Sequence, residues 1–180
     1  IQFNNVVGAA VPISYILAKP ITSSSPDITV SAWINYADAD KGQSGFISSQ
    51  GVNTLWNFFL WSNRLYWRTE NNSHDIFCPL PSGGTWHHVL VTQTGGVGST
   101  KASLYIDGSL CKEGTGMDPV DWSATDPVNI GRYYNGVGVG YGFTGQIDEL
   151  YIFKNYLLAQ DVYKIYAMGA KKHGIDLAEK

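Results

Sequence analysis

The stretch Ile28-Thr-Val-Ser-Ala-Trp-Ile-Asn-Tyr36 alternates along its length between aliphatic and mostly polar side chains. Successive side chains of an extended backbone point to opposite sides, so every second residue shares a face. One face is apolar and consists of Ile28, Val30, Ala32 and Ile34, and the other holds Thr29, Ser31, Trp33 and Asn35. The pattern predicts a β-strand that packs one face against a hydrophobic core.

Short runs of the same kind fill the chain on the C-terminal side of this strand, separated by Gly, Ser, Asn, Asp and Pro. They lie at Gly45 to Gln50, Trp56 to Trp61, Leu65 to Thr69, Ile76 to Leu80, Trp86 to Thr92, Ala102 to Ile106, Leu110 to Gly114, Val128 to Gly131 and Gly145 to Phe153. Asp107-Gly108, between two of these runs, is a strong hairpin signal. Strands this closely spaced exclude a βαβ architecture and predict an all-β sandwich or barrel.

One helix is predicted near the C-terminus, over Leu158 to Met168. Its apolar stripe consists of Leu158, Val162, Ile165 and Tyr166, and Gly169 follows as a stop signal. Beyond this point the sequence is polar. We expect one domain over residues 1–168, followed by a polar tail or the start of a linker over residues 169–180.

Composition excludes some classes of function. The 180 residues include 12 Lys and Arg against 15 Asp and Glu, and 15% of the residues are charged. Because nucleic-acid binding needs clustered Lys and Arg, we expect no nucleic-acid partner. No apolar run approaches the ~20 residues of a membrane span, so we expect no membrane insertion. The chain starts at Ile1 without a visible signal peptide, so we expect a domain of a longer chain with flanking domains.

The two cysteines, Cys78 and Cys111, have two interpretations. They form one disulfide bond if their strands are neighbours in the fold. Otherwise they are two buried thiols, because cysteine is often buried on packing grounds alone. The sequence leaves both alternatives open.

Three stretches in order resemble a known family. They are Gly84-Thr-Trp-His-His-Val-Leu-Val-Thr92, Ala102-Ser-Leu-Tyr-Ile-Asp-Gly108 and Gly145-Gln-Ile-Asp-Glu-Leu-Tyr-Ile-Phe153. With the opening Ile1-Gln-Phe-Asn-Asn5 and the final helix, the chain is similar to the laminin-G-like, concanavalin A-like lectin/glucanase superfamily. The resemblance implies a jelly-roll sandwich of two antiparallel sheets with one short C-terminal helix. Members of the family are carbohydrate-binding modules, lectins, adhesion domains and, in some branches, glycoside hydrolases or lyases.

The carboxylates favour a protein without catalytic activity. A retaining glycosidase needs two carboxylates about 5 Å apart. The β-glucanases of the superfamily carry them in a Glu-x-Asp-x-x-Glu pattern, and the local counterpart here is Gln146-Ile-Asp148-Glu-Leu-Tyr151. Gln146 and Tyr151 stand where the two glutamates belong, and the other aspartates do not repeat the spacing. We therefore predict no enzymatic activity.

The resemblance also implies a structural Ca²⁺ ion. Related sandwiches hold such an ion where an Asp of the last strand meets carbonyl oxygens of the N-terminal strand, and Ca²⁺ prefers oxygen ligands. Asp148 matches that Asp, with Asn4 or Asn5 as the N-terminal partner. The alternative is that Asp148 only accepts hydrogen bonds from the N-terminal backbone. Asp38 and Asp40 form a second, weaker candidate cluster.

The aromatic residues carry the functional hypothesis. Sugar rings stack on Trp and Tyr, while amide, carboxylate and guanidinium groups bind the hydroxyls. Trp56-Asn-Phe-Phe-Leu-Trp61 and Arg64-Leu-Tyr-Trp-Arg68 are apolar on both faces, so one face must be covered or left for a ligand. We predict ligand binding by Trp56, Trp61, Trp67, Arg68, Trp122, Arg132, Tyr133, Tyr134, Asn135 and Tyr141. Each of these aromatic residues alone is more often a core residue than a site residue.

The sequence thus predicts a carbohydrate-binding or adhesion module without catalytic activity, part of a larger secreted or cell-surface protein. Its expected partner is a carbohydrate or a cell-surface glycoprotein. One alternative is a protein–protein adhesion domain that uses the same loops. Another is a divergent glycoside hydrolase or lyase, because fold alone does not choose among these activities.

Overall fold

The computed structural model describes residues 1–4, 15–21, 23, 25–36, 44–49, 56–69, 75–95, 100–120, 122, 127–134 and 140–177. Fourteen strands lie in this part of the chain. They are β1 (Gln2–Asn4), β2 (Ile16–Ala18), β3 (Ile28–Tyr36), β4 (Ser44–Ser49), β5 (Trp56–Trp61), β6 (Arg64–Thr69), β7 (Asp75–Pro79), β8 (His87–Gln93), β9 (Lys101–Ile106), β10 (Ser109–Thr115), β11 (Val128–Ile130), β12 (Arg132–Tyr134), β13 (Gly140–Gly142) and β14 (Thr144–Phe153). Helix α1 (Ala159–Ala170) and a 3-10 turn (Lys171–His173) follow them.

The strands form two sheets. The six-stranded sheet has the order β1-β14-β3-β8-β9-β10, and all of its neighbouring strands are antiparallel. The eight-stranded sheet has the order β12-β13-β4-β5-β6-β7, and β11 joins it by pairing with both β2 and β4. Its one parallel pair among the described strands is β13 with β4. The predicted jelly-roll sandwich with a short C-terminal helix is confirmed.

The main core lies between the two sheets. The apolar face of β3 belongs to it, as the alternation predicts, and Ile28, Val30 and Ala32 are fully buried there. β8 and β9 add Val89, Val91 and Leu104 from the same sheet, and β5 and β6 add Phe58, Leu60 and Leu65 from the opposite sheet. Burial of this apolar area is the dominant stabilising contribution to the fold.

The outer face of the six-stranded sheet is covered. Val162 of α1 packs against Leu90 and Tyr105, and Tyr166 stacks on Trp33 with 5.7 Å between the ring centroids. Because α1 supplies this cover, the polar face of β3 is buried as well. The helix also ends later than predicted, because Gly169 and Ala170 continue it.

The segment that follows α1 packs on the same sheet. His173 lies between Trp33 and Trp86, with ring centroids 4.4 Å and 4.5 Å away, and Ile175 and Leu177 contact the same cluster. The sequence predicts that residues 169–177 begin a polar tail. They belong instead to the packed structure, because their few apolar side chains contact the tryptophans of the sheet. Among the described helices, none is long and apolar enough to cross a membrane.

Cys78 and Cys111 form a disulfide bond, with 6.1 Å between their Cα atoms. Cys78 lies on β7, an edge strand of the eight-stranded sheet, and Cys111 lies on β10, an edge strand of the six-stranded sheet. The register of β9 and β10 shifts at Cys111, which is the extra residue of a β-bulge. The bond thus links the two sheets at one side of the sandwich.

Candidate functional site

The outer face of the eight-stranded sheet has no helix packed against it in the described part of the chain, and three of its strands present an ordered set of side chains. Ser62 and Asn63 connect β5 to β6 with positive φ angles of 49° and 56°, which is the backbone of a tight hairpin turn. That turn fixes the register of β5 against β6, and β7 pairs with the other edge of β6. Three rows result, here called the three-row face: Asn57, Arg68 and Asp75; Phe59, Tyr66 and Phe77; Trp61, Arg64 and Pro79.

The middle row is a series of aromatic rings. Phe59 and Tyr66 stack nearly parallel with 5.1 Å between centroids, and Phe77 follows at 5.2 Å from Tyr66. Trp61 of the third row lies 5.8 Å from Tyr66. Phe59 and Tyr66 are buried, whereas Trp61 and Phe77 are each 40% exposed. The rings therefore form a platform whose outer members meet solvent.

The first row is polar and held in place by charge. Arg68 Nε and Nη2 donate to the two carboxylate oxygens of Asp75 at 2.8 Å and 2.5 Å, and Nη1 donates to the Tyr133 hydroxyl at 3.1 Å. Burial lowers the pKa of Arg68, but the bonds to Asp75 and Tyr133 outweigh it and raise that pKa above its ordinary value. The guanidinium also lies 5.1 Å from the centroid of the Phe59 ring. Such a bidentate pair is rigid.

Strand β12 brings Tyr133 onto this face by crossing close to β4. A Cβ atom on Gly45 would lie 2.0 Å from the backbone nitrogen of Tyr133, so only glycine fits at that position. The Tyr133 ring lies 4.9 Å from Phe59 and 6.2 Å from Tyr141. Tyr133 and Tyr141 therefore join Phe59 and Tyr66 in one aromatic cluster.

Four of the predicted ligand-binding residues meet on this face: Trp61, Arg68, Tyr133 and Tyr141. Sequence reasoning did not select Arg64, Tyr66 and Phe77 as site residues. Their signal is the alternation itself, since every second residue from Arg64 to Arg68 and from Asp75 to Pro79 shares the face of Trp61.

Trp56 and Trp67 need correction. They are 2% and 0% exposed and lie in the main core, with 5.8 Å between their ring centroids. Trp67 also donates from Nε1 to Gln93 Oε1 at 2.7 Å inside the sandwich. The cause is strand alternation, because the residues that flank Trp67 and face outward are Tyr66 and Arg68. Neither tryptophan reaches a ligand on the surface.

The remaining predicted aromatic and polar residues lie elsewhere. Trp122 is half-buried and packs against the main core. Arg132 is nearly buried, and its guanidinium lies 4.4 Å from the centroid of the Tyr15 ring. The side chain of Tyr134 and the whole of Asn135 lie outside the described residues.

The described members of the predicted calcium site do not come together. Asn4 pairs with Thr144, whereas Asp148 lies four residues further along β14, about 14 Å away at 3.4 Å per residue. Asp148 Oδ2 instead contacts the Lys172 ammonium at 2.9 Å, and this bond lowers the pKa of Asp148. Asn5, Asp38 and Asp40 lie outside the described residues. Within the described ranges, no cluster of His, Cys, Asp and Glu has the composition of a metal site.

A concavity of about 520 Å³ lies on the six-stranded sheet, between α1 and the end of β14. Its lining is mostly apolar and includes Tyr151, Phe153, Leu157, Ile165 and Met168. The carboxylates at its rim are engaged by lysines, Asp161 with Lys164 and Glu149 with Lys172. It therefore offers apolar contacts with little free hydrogen-bonding capacity, unlike the three-row face.

Comparison with known families gives one match. The family described as the concanavalin A-like lectin/glucanases superfamily matches residues 13–163. A search of curated proteins found no match.

Comparison with solved structures gives many matches of the same fold. A pentraxin from Limulus polyphemus is 19% identical with a TM-score of 0.69, covering 92% of this chain and 80% of its own. The carbohydrate-binding module of a Ruminococcus gnavus sialidase, solved with α2,3-sialyllactose, is 12% identical with a TM-score of 0.67, covering 92% and 97%. The binding domain of botulinum neurotoxin serotype G is 18% identical with a TM-score of 0.67, covering 94% of this chain but only 42% of that domain. At these identities the likeness shows the fold alone.

Proposed function

The chain belongs to the concanavalin A-like lectin/glucanases superfamily, and from that premise we propose that it is a carbohydrate-binding module without catalytic activity. The observation that carries this proposal is the three-row face. There the partly exposed rings of Trp61 and Phe77 lie beside the ordered polar pair of Arg68 and Asp75, on the sheet that α1 does not cover. Exposed apolar surface rimmed by polar groups is typical of a binding site.

The proposed binding mode uses both kinds of side chain. The C–H face of a sugar ring stacks on Trp61 and Phe77, because aromatic rings offer large apolar area and a defined geometry. Arg68 and Asp75 supply donors and acceptors for the hydroxyl groups at the other end of the face. Since those two side chains already hold each other in position, little conformational entropy is lost when a ligand binds.

The absence of catalysis is part of the proposal. Hydrolysis of a glycosidic bond by a glycosidase ordinarily requires two carboxylates that flank the bond. On the described residues of β5, β6 and β7, Asp75 is the single carboxylate, and Arg68 holds both of its oxygens. We expect no turnover of a polysaccharide panel. Release of reducing sugar that disappears in Asp75→Asn would contradict this part of the proposal.

The proposal extends to the location of the protein. The disulfide bond between Cys78 and Cys111 supports an oxidising compartment, because such bonds persist mainly outside the cytosol. We therefore place the module in a larger extracellular or cell-surface protein, with carbohydrate or a cell-surface glycoprotein as its partner.

The test is a glycan array with two matched variants. Trp61→Ala removes an exposed ring from the three-row face. Tyr151→Ala removes a similarly exposed ring, 48% accessible, from the other sheet. We expect Trp61→Ala to weaken glycan binding about tenfold or more, since central aromatic contacts dominate binding energies. Tyr151→Ala should bind like the unmodified protein. If no glycan on the array binds, or if both variants bind normally, the proposed site is wrong.

A further inference from the structure

We propose that the sugar bound on the three-row face carries a carboxylate, and that Arg64 is the residue that recognises this group. The proposal rests on the proposed function and adds the chemical class of the ligand. It is based on the position of Arg64, on the partners of the two arginines of the face, and on the register that places Arg64 beside Trp61.

Arg64 is exposed at the end of the β5–β6 hairpin. Its guanidinium carbon lies 4.5 Å from the centroid of the Phe77 ring, so the group lies over an aromatic surface. At an exposed position such a cation–π contact is weak. The contact places the guanidinium beside the ring without pairing its N–H donors to an oxygen acceptor.

The two arginines of the face differ in their partners. Arg68 has a bidentate carboxylate partner in Asp75 and a hydroxyl partner in Tyr133. For Arg64, no carboxylate within ion-pair distance is found among the residues that the structure describes, and its side chain has no hydrogen bond to them. Among the described residues, none therefore takes up the five N–H donors of the Arg64 guanidinium.

The register places this charge next to the stacking ring. Trp61 and Arg64 are directly opposite each other on β5 and β6, which separates their Cβ atoms by about 5 Å. A single sugar residue stacked on Trp61 therefore brings a substituent of its ring within reach of Arg64. The planar guanidinium fork matches a carboxylate bidentately, and such charge-assisted bonds are roughly twice as strong as neutral ones.

The experiment compares each acidic sugar with its own methyl ester. The ligands are α2,3-sialyllactose, trigalacturonic acid and the methyl ester of each, with binding measured by calorimetry. Esterification keeps the skeleton and removes the negative charge. We expect at least one acid to bind about tenfold more tightly than its ester, because the charge-assisted pair is lost in the ester.

Two variants assign the effect to Arg64. Arg64→Gln should lower the affinity for the acid to that for the ester and leave the ester unchanged, while Arg64→Lys should recover part of the difference. Lys112→Gln removes the same charge from the edge strand of the other sheet and should change nothing. Because Arg64 and Lys112 are both exposed, all three variants should fold.

The outcomes separate this inference from the proposed function. If neutral glycans, acids and esters bind with similar affinities, and Arg64→Gln has no effect while Trp61→Ala abolishes binding, the carboxylate inference is wrong and the proposed function stands. If neither the acids, the esters nor a neutral glycan array shows binding, the proposed function fails and the inference fails with it.

Discussion

Trp56 and Trp61 show how one strand serves both structure and recognition. They lie five positions apart on β5, an odd separation that turns their side chains to opposite faces of the sheet. Trp56 packs between the sheets, and Trp61 lies on the three-row face with 40% of its surface exposed. The same residue type therefore stabilises the core at one end of the strand and is available to a partner at the other.

His88 gives a prediction about pH at the same scale. It is fully buried beside Trp33 and Tyr166, and its Nε2 lies 2.9 Å from Ser31 Oγ. Burial lowers its pKa to about 4, whereas an unfolded histidine titrates near 6.5. At pH values between these two pKa values, His88 binds a proton in the unfolded state but not in the folded state. Stability should therefore fall with falling pH in this window, by up to about 1.4 kcal/mol per pH unit.

Urea denaturation across this pH range measures the effect. The adjacent His87 affects stability in the opposite direction. Its hydrogen bond to Asp107 raises its pKa, so its contribution to stability is lost as pH rises. Burial also lowers the pKa of His173, so His173 contributes with the same sign as His88. The variant His88→Gln should therefore show a smaller decrease in stability, and the control His87→Gln should retain the full decrease. If the free energy of unfolding changes with pH equally in His88→Gln and in the unmodified protein, His88 is not the responsible group.

At the scale of the elements, the link between β7 and β10 carries a prediction about stability. The disulfide bond closes a loop with a sequence separation of 33 residues. The loop-entropy estimate for such a cross-link is about 3–4 kcal/mol. The double variant Cys78→Ala/Cys111→Ala should lose roughly this amount of unfolding free energy, measured by guanidinium denaturation. The oxidised and reduced forms of the unmodified protein should differ by a similar amount. A loss below about 1 kcal/mol in both comparisons would contradict the prediction.

The register of β1 and β14 leads to a prediction about metal ions. Since Asn4 and Asp148 lie about 14 Å apart and Asp148 contacts Lys172, these two residues do not form the calcium site that the resemblance implies. A Ca²⁺ ion that stabilises the fold must therefore be held by ligands other than the pair Asn4 and Asp148, and thermal melting in EDTA and then in Ca²⁺ tests for such an ion. A decrease with EDTA that Ca²⁺ reverses would show that other residues of the chain bind the ion.

At the scale of the whole molecule, the alternation of β3, the turn signal at Asp107-Gly108 and the ordered family-like stretches were sufficient to predict the sandwich. The face of β5 and β6 that carries the site could not be predicted in the same way. Both faces of these strands are aromatic, and alternation alone does not say which one points inward. That choice depends on contacts distant in sequence, such as Trp67 with Gln93.

The sequence pattern also did not predict that the segment after α1 packs on the six-stranded sheet. Residues 169–177 read as polar, yet His173, Ile175 and Leu177 pack against Trp33 and Trp86. Their spacing of two residues occurs outside any described strand, so alternation did not predict this packing and only the folded sheet reveals their role. Together with α1 they cover much of the outer face of the six-stranded sheet. This asymmetry between the two sheets supports the proposal that a ligand binds on the three-row face.

The unequal burial of the six tryptophans gives the protein a built-in optical reporter. Trp61 is the one indole with a large exposed fraction, while the other five are buried or half-buried. A collisional quencher such as acrylamide should therefore act first on the emission of Trp61. A molecule that stacks on this ring would shield it, so its occupancy can be followed by fluorescence without any label.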